Sequence, residues 1–215
     1  MGVLVLVRHG QASFGAADYD KLSDIGLAQA YATGRVLADR GVVPSRIYAG
    51  EMLRQRKTAE RARAGGRWDP PIALDARWNE FDHLAVLRTM PPEHLAHERT
   101  FQRRFEDALG LWIAGNAGDD AYPEAFDNFC ARVEAALLQV TDDLGRGETA
   151  LVVTSGGVIA WVAARLIGGD TAQWMRLNRV AINCGLTKVL VGGSELSLVS
   201  FNEHGHLAAD ALTYR

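Results

Sequence analysis

Residues 3–10 read Val3-Leu4-Val5-Leu6-Val7-Arg8-His9-Gly10, an apolar run that ends on a guanidinium, an imidazole and a glycine. A run that is apolar at every position, rather than at alternate ones, marks a strand buried on both faces, and such strands belong to parallel sheets covered by helices. A second run of this kind, Thr149-Ala150-Leu151-Val152-Val153, leads into Thr154-Ser155-Gly156-Gly157. Two doubly buried strands with helical patterns between them predict an α/β fold.

Working outward, Ser23 is an N-cap before Ile25, Ala28, Ala32 and Val36, which share one helical face, and Gly41 is a stop. A short strand is expected over Arg46 to Ala49, then a helix from about Met52 to Arg63 that Gly65 and Gly66 end. Ile72 to Asp75 reads as another short strand. Residues 76 to 122 mix Trp, Pro, His and charge around one helix, about Glu98 to Ile113, and 81–122 reads as a cap or insertion over one end of the sheet. A helix from about Pro123 to Leu144 follows, with proline in its first turn and Phe126, Phe129, Val133, Leu137 and Val140 on one face. Val158 to Ile167 reads as a helix closed by Gly168 and Gly169, and Leu186 to Val191 with Leu196 to Phe201 as a hairpin. With no repeat, low-complexity segment or linker, residues 1–215 are expected to form a single domain.

Composition narrows the function. The 215 residues are 48% hydrophobic and 23% charged, as in an ordinary globular chain. The net charge of −3 offers no overall positive field for a nucleic acid or an anionic membrane. The two cysteines, Cys130 and Cys184, form no CxxC pair, so no disulfide framework or thiolate metal site is expected, and a reducing cytoplasm fits. The first apolar run is too short for a secretory signal, and no stretch of about 18 apolar residues exists to span a membrane. Position 6 is Leu6, where myristoylation would ask for Ser or Thr. A soluble, unanchored protein is expected; its oligomeric state is not readable.

Arg8, His9 and Gly10 stand at the carboxyl end of the first buried strand, where open α/β sheets place their ligands. The Thr154–Gly157 segment offers backbone N–H groups and a helix N-terminus to an anion. A third short strand leads to Leu53-Arg54, with Thr58 one turn on. Two guanidiniums, an imidazole and free amides at one sheet edge suit a phosphoryl group.

In these segments the chain resembles the phosphoglycerate mutase-like histidine phosphatases. Leu6-Val7-Arg8-His9-Gly10-Gln11-Ala12 is similar to the family's opening motif, Leu22 to Ala30 to the helix start that follows, and Leu53-Arg54-Gln55-Arg56-Lys57-Thr58-Ala59-Glu60 to its second-arginine motif. Leu74 to Glu80 resembles the segment bringing an acidic residue, Leu151 to Ile159 the last catalytic strand and turn, and Asn202 with Gly205-His206-Leu207 the closing strand. The resemblance implies a three-layer αβα sandwich with a mostly parallel mixed sheet. It also implies a phosphomonoesterase with no metal or other cofactor. His9 would become phosphorylated; Arg8 and Arg54 would bind phosphoryl oxygens together with Gln11, Ser155 and Gly156; and Glu80, with Asp75 and Asp82 nearby, would protonate the leaving oxygen. The chemistry is consistent, since phosphoryl transfer asks for in-line positioning and fixed positive charge, and an imidazole attacks well once its other nitrogen is held as a donor.

Two departures stand out. Ser155 occupies the place of the family's second histidine, and losing such a donor commonly costs about a hundred- to a thousandfold in rate. Near Gly15 many members have an asparagine. His83 is the replacement considered for the missing imidazole, beside the plainer reading of it as an exposed residue.

Other apparent motifs fail. Ser155-Gly156-Gly157 lacks the preceding glycine of a nucleophile elbow, His94 and His97 match no zinc-protease order, His204 and His206 read as structural, and Glu51 and Glu60 interrupt the basic run from Arg54 to Arg67. The expected function is therefore a phosphatase acting on a small phosphorylated metabolite or a phosphorylated side chain. The alternatives are a non-catalytic protein holding a phosphorylated ligand in the same pocket, a phosphoglycerate mutase, and, weakest, a dinucleotide binder lacking its G-x-G-x-x-G.

Overall fold

Burial on both faces places the first strand, β1 (Gly2–Arg8), inside a sheet rather than at its edge, and the computed structural model has it there. The structure describes residues 1–13, 20–89, 101–115, 122–193 and 195–214. After β1 come α1 (Asp24–Asp39), β2 (Arg46–Ala49), α2 (Leu53–Gly66), β3 (Ile72–Leu74) and a 3-10 turn (Ala76–Trp78). Helices α3 (His83–Arg88), α4 (Phe101–Ala114) and α5 (Phe126–Asp142) follow, then β4 (Thr149–Thr154), α6 (Gly156–Leu166), α7 (Thr171–Val180), β5 (Leu186–Val191) and β6 (Leu196–Glu203). The sheet order is β3-β2-β4-β1-β5-β6. The first four strands are mutually parallel, and β5 and β6 turn antiparallel as the expected hairpin. The fold is α/β with a mostly parallel mixed sheet, as the sequence predicts.

Two compact units divide the chain: Met1–Glu80 with Ala135–Arg215, and Phe81–Glu134. In the first, side-chain alternation decides which helix covers which face. Val5 and Val7 pack with Leu37 of α1, Ala59 and Ala62 of α2, and Leu151 and Val153 of β4. Leu4 and Leu6 point the other way and are equally closed to solvent, on the side covered by α6. The parallel register sets Val7 against Val153 and Arg8 against Thr154, so both strands release their next residue at the same sheet edge.

The second unit is centred on aromatic side chains. Phe81 lies 4.7 Å from Trp112 and 5.6 Å from Phe129 between ring centroids, and the Trp112 indole donates to the Glu124 carbonyl at 2.8 Å. Asp82 caps α3 by accepting from Ala85 N at 2.9 Å.

Three local expectations change. Helix α2 runs through Gly65 and Gly66 and ends at Arg67, which takes the left-handed conformation with φ +54°. Those glycines serve close packing instead: a Cβ on Gly65 would stand 2.1 Å from the Tyr31 carbonyl oxygen, and one on Gly34 of α1 would stand 1.8 Å from that of Ala62. Helix α5 begins at Phe126, so Pro123 precedes it rather than opening its first turn. Helix α7 has no counterpart in the sequence reading, although Asp170 and Gln173 form a capping box at its start. Gly15, His94 and His97 lie outside the described residues, as does the start of the helix expected from Glu98.

Candidate active site

His9 leaves β1 immediately after Arg8 and is held from both sides of its backbone: its N–H donates to the Thr154 carbonyl at 2.8 Å, and its carbonyl accepts from Asn183 Nδ2 at 3.1 Å. The residue is 4% exposed. Nδ1 lies 2.8 Å from the Gly10 carbonyl oxygen, and Arg54 Nε lies 3.2 Å from Nε2. A carbonyl only accepts and a guanidinium N–H only donates, so the imidazole carries its proton on Nδ1 and a lone pair on Nε2. That is the tautomer a nucleophilic imidazole needs, with its second nitrogen held as a donor.

Arg54 reaches this position from the first turn of α2. Met52 offers no side-chain cap there, and Asp20 supplies one from outside the helix, its Oδ2 accepting from Leu53 N at 2.7 Å and its Oδ1 from Arg54 Nη1 at 2.6 Å. Thr58, one turn on, accepts from Gly10 N at 2.9 Å and donates to the Arg54 carbonyl at 2.7 Å, which ties the His9 turn to the helix. Gly10 is required by close approach, since a Cβ would lie 2.4 Å from the Gly26 carbonyl oxygen.

Arg8 extends to the opposite sheet face from α2, because it follows Leu6 by two residues. Its guanidinium donates to the Ala181 carbonyl and, at 2.9 Å, to that of Tyr214. A Cβ on Gly156, the first residue of α6, would lie 3.5 Å from Arg8 Nε, so this guanidinium stands beside the α6 N-terminus. Glu80 meets the same helix end, its Oε2 accepting from Gly157 N at 2.9 Å. The neighbouring acids go elsewhere. Asp75 is bound to Arg77 at 2.6 Å, and the guanidinium's hydrogen bonds hold its carboxyl below the usual carboxylate range; Asp82 caps α3.

Ser155 is fully buried at the N-cap position of α6, makes no side-chain bond to that helix, and accepts from Gln55 Nε2 at 2.8 Å. The Gln11 side chain accepts from the Ser23 hydroxyl at 2.8 Å, and its N–H donates to Gln29 Oε1 at 2.9 Å. His83 opens α3 in the second unit, edge-on to Phe105 at 6.5 Å. His206 contacts Thr33 at 3.0 Å, and burial lowers its pKa to about 4. Burial likewise pushes the Cys184 thiol up to about 12.

Arg54 and His9 are thus in direct contact, and Arg8, Gly156, Glu80 and Ser155 surround the start of α6. Sequence reasoning missed Asp20, Gln55, Gln29 and Asn183. Gln29 Nε2 donates to Thr213 Oγ1 at 2.9 Å, which donates to Asn183 Oδ1 at 2.9 Å and so reaches the His9 carbonyl. Among the described residues no cluster of His, Cys, Asp and Glu could hold a metal ion, and no helix is long and apolar enough to cross a membrane.

Known proteins resemble this chain in sequence and in fold. A 2,3-bisphosphoglycerate-dependent phosphoglycerate mutase of Clavibacter sepedonicus is 27% identical over 210 residues, covering 81% of this chain and 80% of that protein. A mutant phosphoserine phosphatase of Entamoeba histolytica, solved in complex with phosphoserine, superposes with a TM-score of 0.70 at 17% identity, over 97% of this chain and 100% of the other. A phosphoglycerate mutase of Bacillus anthracis gives 0.67 at 18% identity, over 95% and 94%. The family model of the histidine phosphatase superfamily, branch 1, matches residues 4–204, and this chain belongs to that family.

Proposed function

We propose that the protein is a metal-independent phosphomonoesterase that works through a phosphohistidine at His9. The observation that carries this reading is the His9 ring, with Nδ1–H on the Gly10 carbonyl and Nε2 facing Arg54. A substrate phosphoryl oxygen replaces Nε2 as the acceptor for Arg54 Nε, which frees the lone pair. Nε2 then attacks phosphorus, the P–O ester bond breaks, and Glu80 gives its proton to the leaving oxygen. Water attacks the phosphohistidine in turn, Glu80 takes a proton from it, and the P–N bond breaks to release phosphate. Arg8, Arg54 and the α6 N-terminus supply fixed positive charge around the equatorial oxygens throughout.

The substrate is a small phosphorylated metabolite or a phosphorylated side chain, a class that includes the phosphoserine held by the Entamoeba enzyme. The two buried cysteines, Cys130 and Cys184, suit a cytoplasmic setting. Turnover of p-nitrophenyl phosphate, with an acid-labile phosphoenzyme that His9→Ala abolishes, is expected. A parent protein showing neither, yet binding vanadate, would instead be a phosphate-ligand-binding protein, the reading that Ser155 favours.

A further inference from the structure

Gln55 follows Arg54 on α2, and its side chain is entirely closed to solvent. Its Nε2 lies 3.1 Å from the Trp78 carbonyl oxygen and 2.8 Å from Ser155 Oγ. Because a carbonyl only accepts, the amide nitrogen must face Trp78, and its second N–H is left for Ser155. Ser155 Oγ is therefore an acceptor, and the hydroxyl proton turns elsewhere. An N-cap serine ordinarily commits its oxygen to the N–H groups of its own helix. Here Glu80 accepts the Gly157 N–H in its stead, and Ser155 makes no cap bond. Among the described residues no acceptor takes the Ser155 proton. Ser155 follows Thr154, whose carbonyl accepts from His9 N at 2.8 Å, and Ser155 and His9 are both closed to solvent almost entirely.

We propose that Gln55 is a positioning residue that turns the Ser155 hydroxyl proton toward the transferring phosphoryl group, so that the pair acts as a neutral donor in the place the resemblance gives to a second histidine. The proposal rests on the phosphatase reading. Gln55 touches no reacting atom; it acts by occupying the acceptor side of Ser155, and the Trp78 carbonyl fixes its amide.

The test is a double-mutant cycle on the full chain with p-nitrophenyl phosphate, with vanadate as the binding probe. Ser155→Ala is expected to lower kcat about a hundredfold and Gln55→Leu about tenfold, each with KM changed less than threefold. In the Ser155→Ala background, Gln55→Leu is expected to lower kcat less than twofold, since nothing remains for it to position. Independent, multiplying losses would overturn the proposal. Ser155→Ala removes one oxygen and keeps the fold, so an unchanged kcat in that variant overturns the proposal even should Gln55→Leu not fold. A parent without turnover or phosphohistidine overturns the phosphatase reading and this proposal together, whereas an active parent indifferent to Ser155→Ala overturns this proposal alone.

Discussion

Arg54 donates from Nε to His9 Nε2 across 3.2 Å while its Nη1 reaches Asp20 Oδ1 at 2.6 Å, so one guanidinium spans the imidazole and a carboxylate. On the proposed mechanism this contact holds the His9 lone pair in reserve until a phosphoryl oxygen claims the same donor. A planar fork can satisfy both neighbours; an ammonium on a flexible stem cannot.

Arg54→Ala should therefore weaken vanadate binding by about 1.5–3 kcal/mol, the usual worth of a hydrogen bond to a charged group, and Arg54→Lys should not restore it. Equilibrium titration decides the matter: full affinity in the lysine variant would mean that charge alone suffices.

Ser155→His, introduced alone, should lower activity rather than raise it. Ser155 has no exposed surface, and the Gln55 amide fills the space an imidazole would need. Adding Gln55→Ala should recover part of the loss. Initial rates of the single and double variants give the answer, and a gain from the single substitution would show that the pocket has room to spare.

Gly34→Ala should destabilise the protein by about 1–3 kcal/mol or more, because its Cβ would stand 1.8 Å from the Ala62 carbonyl oxygen where α1 crosses α2. Since α2 carries Arg54, residual activity should fall beyond what the folded fraction explains. Denaturant titration with parallel rate measurements tests both; a midpoint shift below the scatter of replicates would refute it.

Acid should destabilise the fold through His206. Its pKa falls from the ordinary 6.5 to about 4, chiefly through burial and then through the Arg40 charge, so between those values the unfolded chain binds the extra proton. The contribution is fully present above about pH 6.5 and is lost as pH drops through 4, on the order of 2–3 kcal/mol in all. His206→Gln should flatten the stability profile across that window, and an identical slope in parent and variant would assign the acid sensitivity to other groups.

What could be read from the chain alone was what a single segment dictates. Val3–Val7 and Thr149–Val153 are apolar at every position because both of their faces are covered, so strand type, parallel pairing and sheet centre followed from local pattern. Arg8, His9, Arg54 and Ser155 stand at strand ends and helix starts, and with Glu80 they lie in the segments that carry the resemblance, so local sequence singles them out. Partners chosen by tertiary placement left no local trace: Asp20 serves the end of a helix that begins 33 residues later, and Gln55 meets a serine 100 residues away. Gly65 and Gly66 misled because the same residue type serves both as a helix stop and as a point of close approach. Helix α7 shows only Trp174 buried, so its apolar signal is thin, and its capping box was the sign to weigh.

The Arg8 guanidinium rests on the Tyr214 carbonyl, and Gln29 and Asn183 both rest on Thr213. In synthesis the Arg8-His9-Gly10 segment leaves the ribosome early, whereas residues 211–214 emerge some 200 residues later. A growing chain therefore carries His9 long before it can hold Arg8 in place, and the proposed phosphate site can form only once residues 211–214 have emerged.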